Sequence, residues 1–224
     1  MTFSIAARSA DAALFGIAIA SSSPAVAARC AHARAGAGAV ATQNITDPSL
    51  GPRILHALAG GTPAANALRE ALAATPFGAW RQLLVVSRDG VPLVHSGEHA
   101  LGIVASSIGH DAAAAGNLLA HEGVPAAMVG AFESAAGHLG ARLLAALRAG
   151  LASGGEAGPI HSAGLLVVRD QSWPIVDLRV DWSENDPVAA LEHIWGIYSP
   201  QIEDYVRRAL DPAAAPRFGV PGDP

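Results

Sequence analysis

The sequence predicts an α+β protein, a four-layer αββα sandwich of two mostly antiparallel sheets between helical layers. Three observations carry that reading. Strand-like and helix-like segments come in blocks, strands, then helices, then strands, then a helix, which is the order of a layered α+β domain. Asp89-Gly90 separates two apolar runs, a strong signal for a hairpin. Alanine, glycine and serine crowd the strand-like segments, and closely packed sheets favour small residues.

Each element follows from its local pattern. From Thr2 to Arg8, Phe3, Ile5 and Ala7 alternate with Thr2, Ser4 and Arg8, so a strand puts the polar set on one face and Thr2 at the rigid edge of a sheet. Ser9-Ala10-Asp11 reads as a turn and Leu14 to Ser21 as a second strand paired to the first. The weak alternation of Ile17 and Ile19 with Ala18 and Ala20 suits a strand covered on both faces. An irregular piece follows, then a strand-like run from Gly36 to Gln43. Its G-x-G-x-x-A spacing holds no dinucleotide, because Val40 to Gln43 is strand-like and Pro48 follows, so no helix opens there.

Asn44 to Pro52 is turn-rich. A helix from about Pro52 to Ala59 stops at Gly60-Gly61. The next takes Thr62 as N-cap, Pro63 as its first residue and Leu68 and Leu72 as its buried side. Arg81 to Ser87 and Val91 to His95 form the hairpin, and Leu101 to Asn117 reads as short strands and loop. Val124 to Ala135 and Leu139 to Leu151 are helical, the second with a stripe of Leu139, Leu143, Leu147 and Leu151 and a stop at Gly154-Gly155. Strands from Ser162 to Val168 and from Pro174 to Val180 precede a last helix that starts at Asp186-Pro187 and kinks at Pro200. Residues 1–210 read as one domain and residues 211–224, rich in Pro, Ala and Gly, as a disordered tail.

Composition narrows the function. Apolar residues make up 51% of the 224 and charged residues 15%, which is a globular composition. A net charge of -5, with 14 basic residues that are all arginines scattered without a run, argues against a nucleic-acid partner. Lysine is absent, so no lysine serves as base or Schiff-base former. The single Cys30 excludes a disulfide framework and a cysteine-rich zinc site, and it reads as a small buried residue. No apolar run is long enough for a membrane span. A cytoplasmic location is expected. The alternative is export, since Ala12 to Ala28 is apolar or small and Ala25-Val26-Ala27 resembles a cleavage site; Asp11 and the Ser21-Ser22-Ser23-Pro24 break count against it.

The chemistry sits at the start of the chain. Thr2 is small enough for Met1 to be trimmed, which leaves a hydroxyl and a free α-amine on one residue. The amine, with a pKa of roughly 8, then serves as base for the hydroxyl. His95 and His99 straddle a turn at Gly97, so their spacing makes no helical metal pair, and no metal or cofactor is expected. No G-x-S-x-G elbow is present. Trp182, Trp195, Tyr198 and Tyr205 gather late in the chain, as a surface for a homodimer or as part of the monomer's own packing.

Several stretches together resemble one family. Thr2-Phe3-Ser4-Ile5, Ala20-Ser21, Gly36 to Gln43, Gly51-Pro52, Arg81-Gln82, Gly116-Asn117, Arg142 to Leu147, Ser162-Ala163 and Asp177 to Asp181 are similar to the bacterial family of unknown function numbered 1028, from Thr2 to about Leu191. That family is similar in fold to the N-terminal nucleophile (Ntn) hydrolases, αββα sandwiches that cleave amide bonds with the first residue of the mature chain. The resemblance implies Thr2 as nucleophile and base, Asn117 as oxyanion donor, and Ser4, Ser21, Gln43 and Arg81 as polar neighbours that orient amine or substrate. His161 stands where the family commonly has a glutamine before the Ser-Ala strand. The arginine that usually precedes it is missing from Gly155 to His161, and the histidine usual after Asp181 is not in register. The expected function is hydrolysis of a small or medium amide, in a small molecule or peptide; the alternative is a non-catalytic binding or assembly protein on the same fold.

Overall fold

Phe3, Ile5 and Ala7 bury themselves against helices while Ala6 faces a second sheet, so the first strand is covered on both sides and the rest of the molecule is layered around it. The computed structural model describes residues 1–220; the part of the expected disordered tail at residues 221–224 lies outside the described residues. Among the described residues, ten strands form two sheets, all of their pairings antiparallel.

The larger sheet contains β1 (Thr2–Arg8), β2 (Phe15–Ser21), β7 (Ala105–Ile108), β8 (Ala112–Asn117), β9 (Ser162–Val168) and β10 (Val176–Val180), in the order β10-β9-β2-β1-β8-β7. The smaller contains β3 (Ala31–Arg34), β4 (Gly38–Asn44), β5 (Arg81–Ser87) and β6 (Leu93–Ser96), in sequence order. Helices α4 (Val124–Ser134), α5 (Leu139–Ala152) and α6 (Pro187–Tyr198) cover the outer face of the larger sheet. Helices α2 (Leu50–Ala59) and α3 (Ala64–Ala73) cover the smaller through Val40, Leu83 and Val85. Between the sheets lie Ala6, Ile17 and Ile19 from one and Ala39, Ala41, Leu84 and Val86 from the other. The αββα order is the one the sequence predicts.

Several details differ from the expectation. β1 is an inner strand, flanked by β2 and β8, and Thr2 sits at its end and not on the margin of the sheet. The irregular piece after β2 contains a short helix α1 (Val26–Cys30) and the strand β3. These were illegible because Ala31-His32-Ala33-Arg34 has neither a β-branched residue nor a Phe, Tyr or Trp. In α3, Pro63 is the N-cap, and the buried face carries Ala67 and Ala71, with Leu68 and Leu72 half-buried beside them. Closeness to the sheet selects the small residues.

The late helices match well. Asp186 caps α6 by accepting from the Val188 and Ala189 amides, both at 2.9 Å. A 3₁₀ turn at Ser199–Gln201 carries Pro200 and separates α6 from α7 (Ile202–Leu210). The late aromatic residues split into separate pairs: Trp182 stacks on His161, Trp195 leans on His138, and Tyr198 stacks on Tyr205. Arg208 reaches the carbonyls of Pro216 and Arg217 and lies over the Phe218 ring. Among the described residues, no helix is long and apolar enough to cross a membrane.

Candidate active site

The polar residues of β1 do not face water. Ser4 points between the sheets, where its hydroxyl donates to Gln43 Oε1 at 2.6 Å. Gln43 Nε2 in turn donates to Gln82 Oε1 at 2.8 Å and to the Ala115 carbonyl at 3.1 Å. Gln82 Oε1 also accepts from Asn117 Nδ2 at 3.1 Å, while Gln82 Nε2 donates to Ser96 Oγ and to the Gly116 carbonyl, both at 3.0 Å. Every polar atom of Gln82 is therefore used, and the chain of amides joins β1, β4, β5, β6 and β8 in the apolar space between the sheets. Such a network is worth most where it is dry and complete. Two loose ends remain beside it: Asn117 Oδ1 is buried without a partner, and so is Arg81 Nε, although Arg81 Nη1 donates to the Ile45 carbonyl.

Thr2 lies at the mouth of this network. It is 5% exposed, and Met1 in front of it is 38% exposed. The hydroxyls of Thr2 and Ser21 both donate to the Met1 carbonyl and stand 3.2 Å apart. Ser21 Oγ also accepts from the Ser23 amide at 3.0 Å. With Met1 in place, the threonine hydroxyl is thus held by the residue before it. Across the ladder, Thr2 is in register with Asn117.

A cavity of about 420 Å³ opens beside Met1 and Thr2, within the size range of small-molecule sites. Ser23, Arg29, Cys30, Asn44, Thr46 and Pro48 are among its walls, and Arg29 is the one ionised side chain of its lining. Two Arg29 nitrogens are anchored: Nη1 to the carbonyls of Pro24 and Ala25, and Nη2 to Ser23 Oγ. A guanidinium carries five N–H donors, so Nε and the second Nη2 proton remain for another acceptor. Burial pushes the Cys30 thiol up, and Thr46 Oγ1 sits 3.4 Å from it, so the thiol is a wall and not a nucleophile. A larger groove of about 770 Å³, walled by His32, Arg34, Trp173 and Asp177, does not include Thr2 in its lining.

Of the residues singled out in the sequence, Thr2 and Ser21 meet at the cavity, and Ser4, Gln43 and Asn117 meet in the buried network. Arg81 stands at the start of β5 next to that network. His161 is placed differently: its amide donates to the Ser21 carbonyl at 2.8 Å, but its ring bonds the Ser183 carbonyl at 2.9 Å and stacks on Trp182. Sequence reading missed Gln82, Arg29 and Glu156. The first stands next to Arg81 at the same strand start, where its position opposite Gln43 is visible only once β4 and β5 are paired.

Glu156 is the least expected of these. It is 3% exposed and neither carboxylate oxygen has a hydrogen-bond partner of ordinary geometry. Burial raises its pKa to about 7, against the pull of the chain's amino terminus and of neighbouring Ser22.

Comparison with known proteins fits this arrangement into a family. Residues 2–191 match the family of unknown function DUF1028. The chain belongs to that family. A DUF1028 protein from Silicibacter pomeroyi, known from its crystal structure, is 28% identical with a TM-score of 0.84, over 92% of this chain and 94% of the other. Anbu (ancestral beta-subunit) from Yersinia bercovieri is a distant neighbour, 11% identical with a TM-score of 0.43, over 92% of this chain and 97% of the other. No curated protein matches. The chain is an αββα sandwich in which the first strand is internal and its first residue reaches the end of the sheet.

Proposed function

We propose that this DUF1028 protein is an amidohydrolase whose nucleophile is Thr2 after removal of Met1. The observation that carries the reading is the Thr2 hydroxyl held against Ser21 at a cavity mouth, with its own main-chain nitrogen in the peptide bond to Met1. Once Met1 leaves, that nitrogen becomes a primary amine on the carbon skeleton that bears the hydroxyl. The amine takes the hydroxyl proton as Oγ1 attacks the amide carbon, and the carbonyl oxygen becomes an oxyanion. Collapse breaks the C–N bond and returns the proton to the leaving amine. Water then hydrolyses the acyl ester.

Asn117 is the oxyanion donor of this scheme. Its Nδ2 carries two protons and gives one to Gln82, so one remains for the oxyanion. A side-chain amide in that role supplies about 3 to 4 kcal/mol. Met1 itself forms part of the cavity lining, so its loss enlarges the cavity toward the strand end where Asn117 lies. Arg29 selects the substrate: its spare Nε–H and Nη2–H form a side-on fork that suits a carboxylate. The reading therefore favours a small amide bearing a carboxylate, such as an N-acyl amino acid.

Intact mass of the purified protein and turnover of acylated amino acids test it together. Loss of one methionine residue with turnover that Thr2→Ala removes is the expected result. A retained Met1, or turnover that survives Thr2→Ala, leaves a binding or assembly protein on this sandwich.

A further inference from the structure

We infer that Glu156 is the positioning residue for the Thr2 amine: its carboxylate holds the ammonium that forms when the amine takes the hydroxyl proton. The inference rests on the reading of Thr2 above and adds the third member that an amine base needs to stay oriented.

The geometry comes from how the chain leaves α5. Gly154 and Gly155 adopt φ of +111° and +58°, left-handed values that glycine takes without a Cβ clash, and they turn the backbone back toward the start of β1. Ala120 N then donates to the Gly155 carbonyl at 3.0 Å and Ala157 N to the Leu118 carbonyl at 2.9 Å, so residues 155–157 are strapped to the segment that follows Asn117. Glu156 pairs with Leu119 in that strap. Ser22, which follows Ser21 at the end of β2, lies on its other side. The Met1 side chain comes within 3.3 Å of where a Cβ on Gly158 would stand. Glu156 is therefore enclosed by the ends of β1, β2 and β8, the same three ends that carry Thr2, Ser21 and Asn117.

A buried carboxyl with two unpartnered oxygens needs a reason. Among the described residues no arginine reaches it; Ser22 is its polar neighbour, and the charged group that acts on it is the amino terminus of the chain. The nearby His121 is exposed and spends Nε2 on the Ser153 carbonyl. Removal of Met1 moves the terminal nitrogen by one residue, about 3.8 Å between α-carbons, so the new amine stays within reach of the same carboxylate. During attack the proton passes from Oγ1 to the amine and later to the leaving nitrogen. Glu156 supplies the opposite charge and ends each cycle as it began.

The test uses protein with Met1 removed, confirmed by mass. The Thr2 amine is titrated through the pH dependence of its acylation by an amine-reactive reagent, in the wild type and in Glu156→Gln. The expected result is a fall in the amine pKa of about 1 or more in Glu156→Gln, partly restored in Glu156→Asp. Turnover by Glu156→Gln should fall about tenfold or more in kcat/KM, with KM nearly unchanged. An amine that titrates at the same pH in both proteins overturns the inference. Should Glu156→Gln not fold, the wild type decides: carbon NMR of the Glu156 carboxyl and of the Thr2 α-carbon must show shared inflections, and two independent titrations overturn it. The amine titration needs no turnover, so its outcome stands apart from any failure of the Thr2 assignment.

Discussion

Thr2 and Asn117 stand directly opposite each other as the final register pair between β1 and β8. Opposed residues of an antiparallel ladder keep their α-carbons about 4.5 to 5.5 Å apart. A hydroxyl and a carboxamide at the same sheet end are thereby kept at a fixed separation by backbone geometry alone. The proposed nucleophile and the proposed oxyanion donor thus need no loop to bring them together.

Thr2→Ser should retain turnover and Asn117→Ala should lose about 100-fold to 1000-fold in kcat. Steady-state rates on an acylated amino acid check both. Equal rates for Asn117→Ala and the wild type would remove the amide from the mechanism.

Arg29→Met should raise KM for a carboxylated amide about tenfold or more, since a charged hydrogen bond contributes about 1.5 to 3 kcal/mol. The matching neutral amide should be little affected. The comparison of the two substrates separates lost recognition from a general loosening of the cavity wall.

Gln82→Leu should destabilise the fold by about 3 kcal/mol, because the Asn117 amide, the Gln43 amide and the Gly116 carbonyl each lose a buried partner. The midpoint of urea unfolding measures this. A shift within error would show that the amide chain is replaceable.

Glu156 should make stability fall as pH rises. Its folded pKa, raised by burial to about 7, lies above that of an ordinary glutamate, so its favourable contribution is complete below about pH 4 and is lost as pH climbs through 7. Glu156→Gln cannot ionise and should exceed the wild type in stability by on the order of 2 kcal/mol at pH 8, with the gap closing toward pH 4. Urea unfolding at the two pH values checks it, and a gap independent of pH contradicts it.

Gly164→Ala should cost about 1 to 3 kcal/mol. A Cβ there would fall 2.3 Å from the Ala27 Cβ, so α1 would have to lift off β9. Thermal unfolding measures the loss. Gly36→Ala, at an open turn with φ +70°, is the contrasting case, because only its backbone strain should register.

Most of the layered architecture was legible because it rests on periodicity. The hairpin at Asp89-Gly90, the stripe of α5 and the helix start at Asp186-Pro187 each have a local signature, and each formed as read. What failed depended on neighbours. Ala67 and Ala71 outrank Leu68 and Leu72 in α3 only because of how closely that helix approaches the sheet. Thr2 could be named from its place at the start of the chain and Asn117 from a resemblance, but Gln82 becomes part of their surroundings through strand pairing alone. Glu156 had no local periodicity or motif to reveal it. Its place depends on two glycines that fold the chain back over a segment nearly forty residues earlier.

The opening strand is fastened across the gap at both extremities. Near its start Ser4 binds Gln43, and at its finish Arg8 donates to the Ser87 and Gly90 carbonyls at 2.9 and 2.8 Å while pairing with Asp111. Two rivets on one strut prevent the leaves of the sandwich from shearing past one another. Any widening of the cavity beside Thr2 must therefore arise in the rim segments around Ser23 and Thr46, and swapping those rims should reshape its mouth without disturbing the frame beneath.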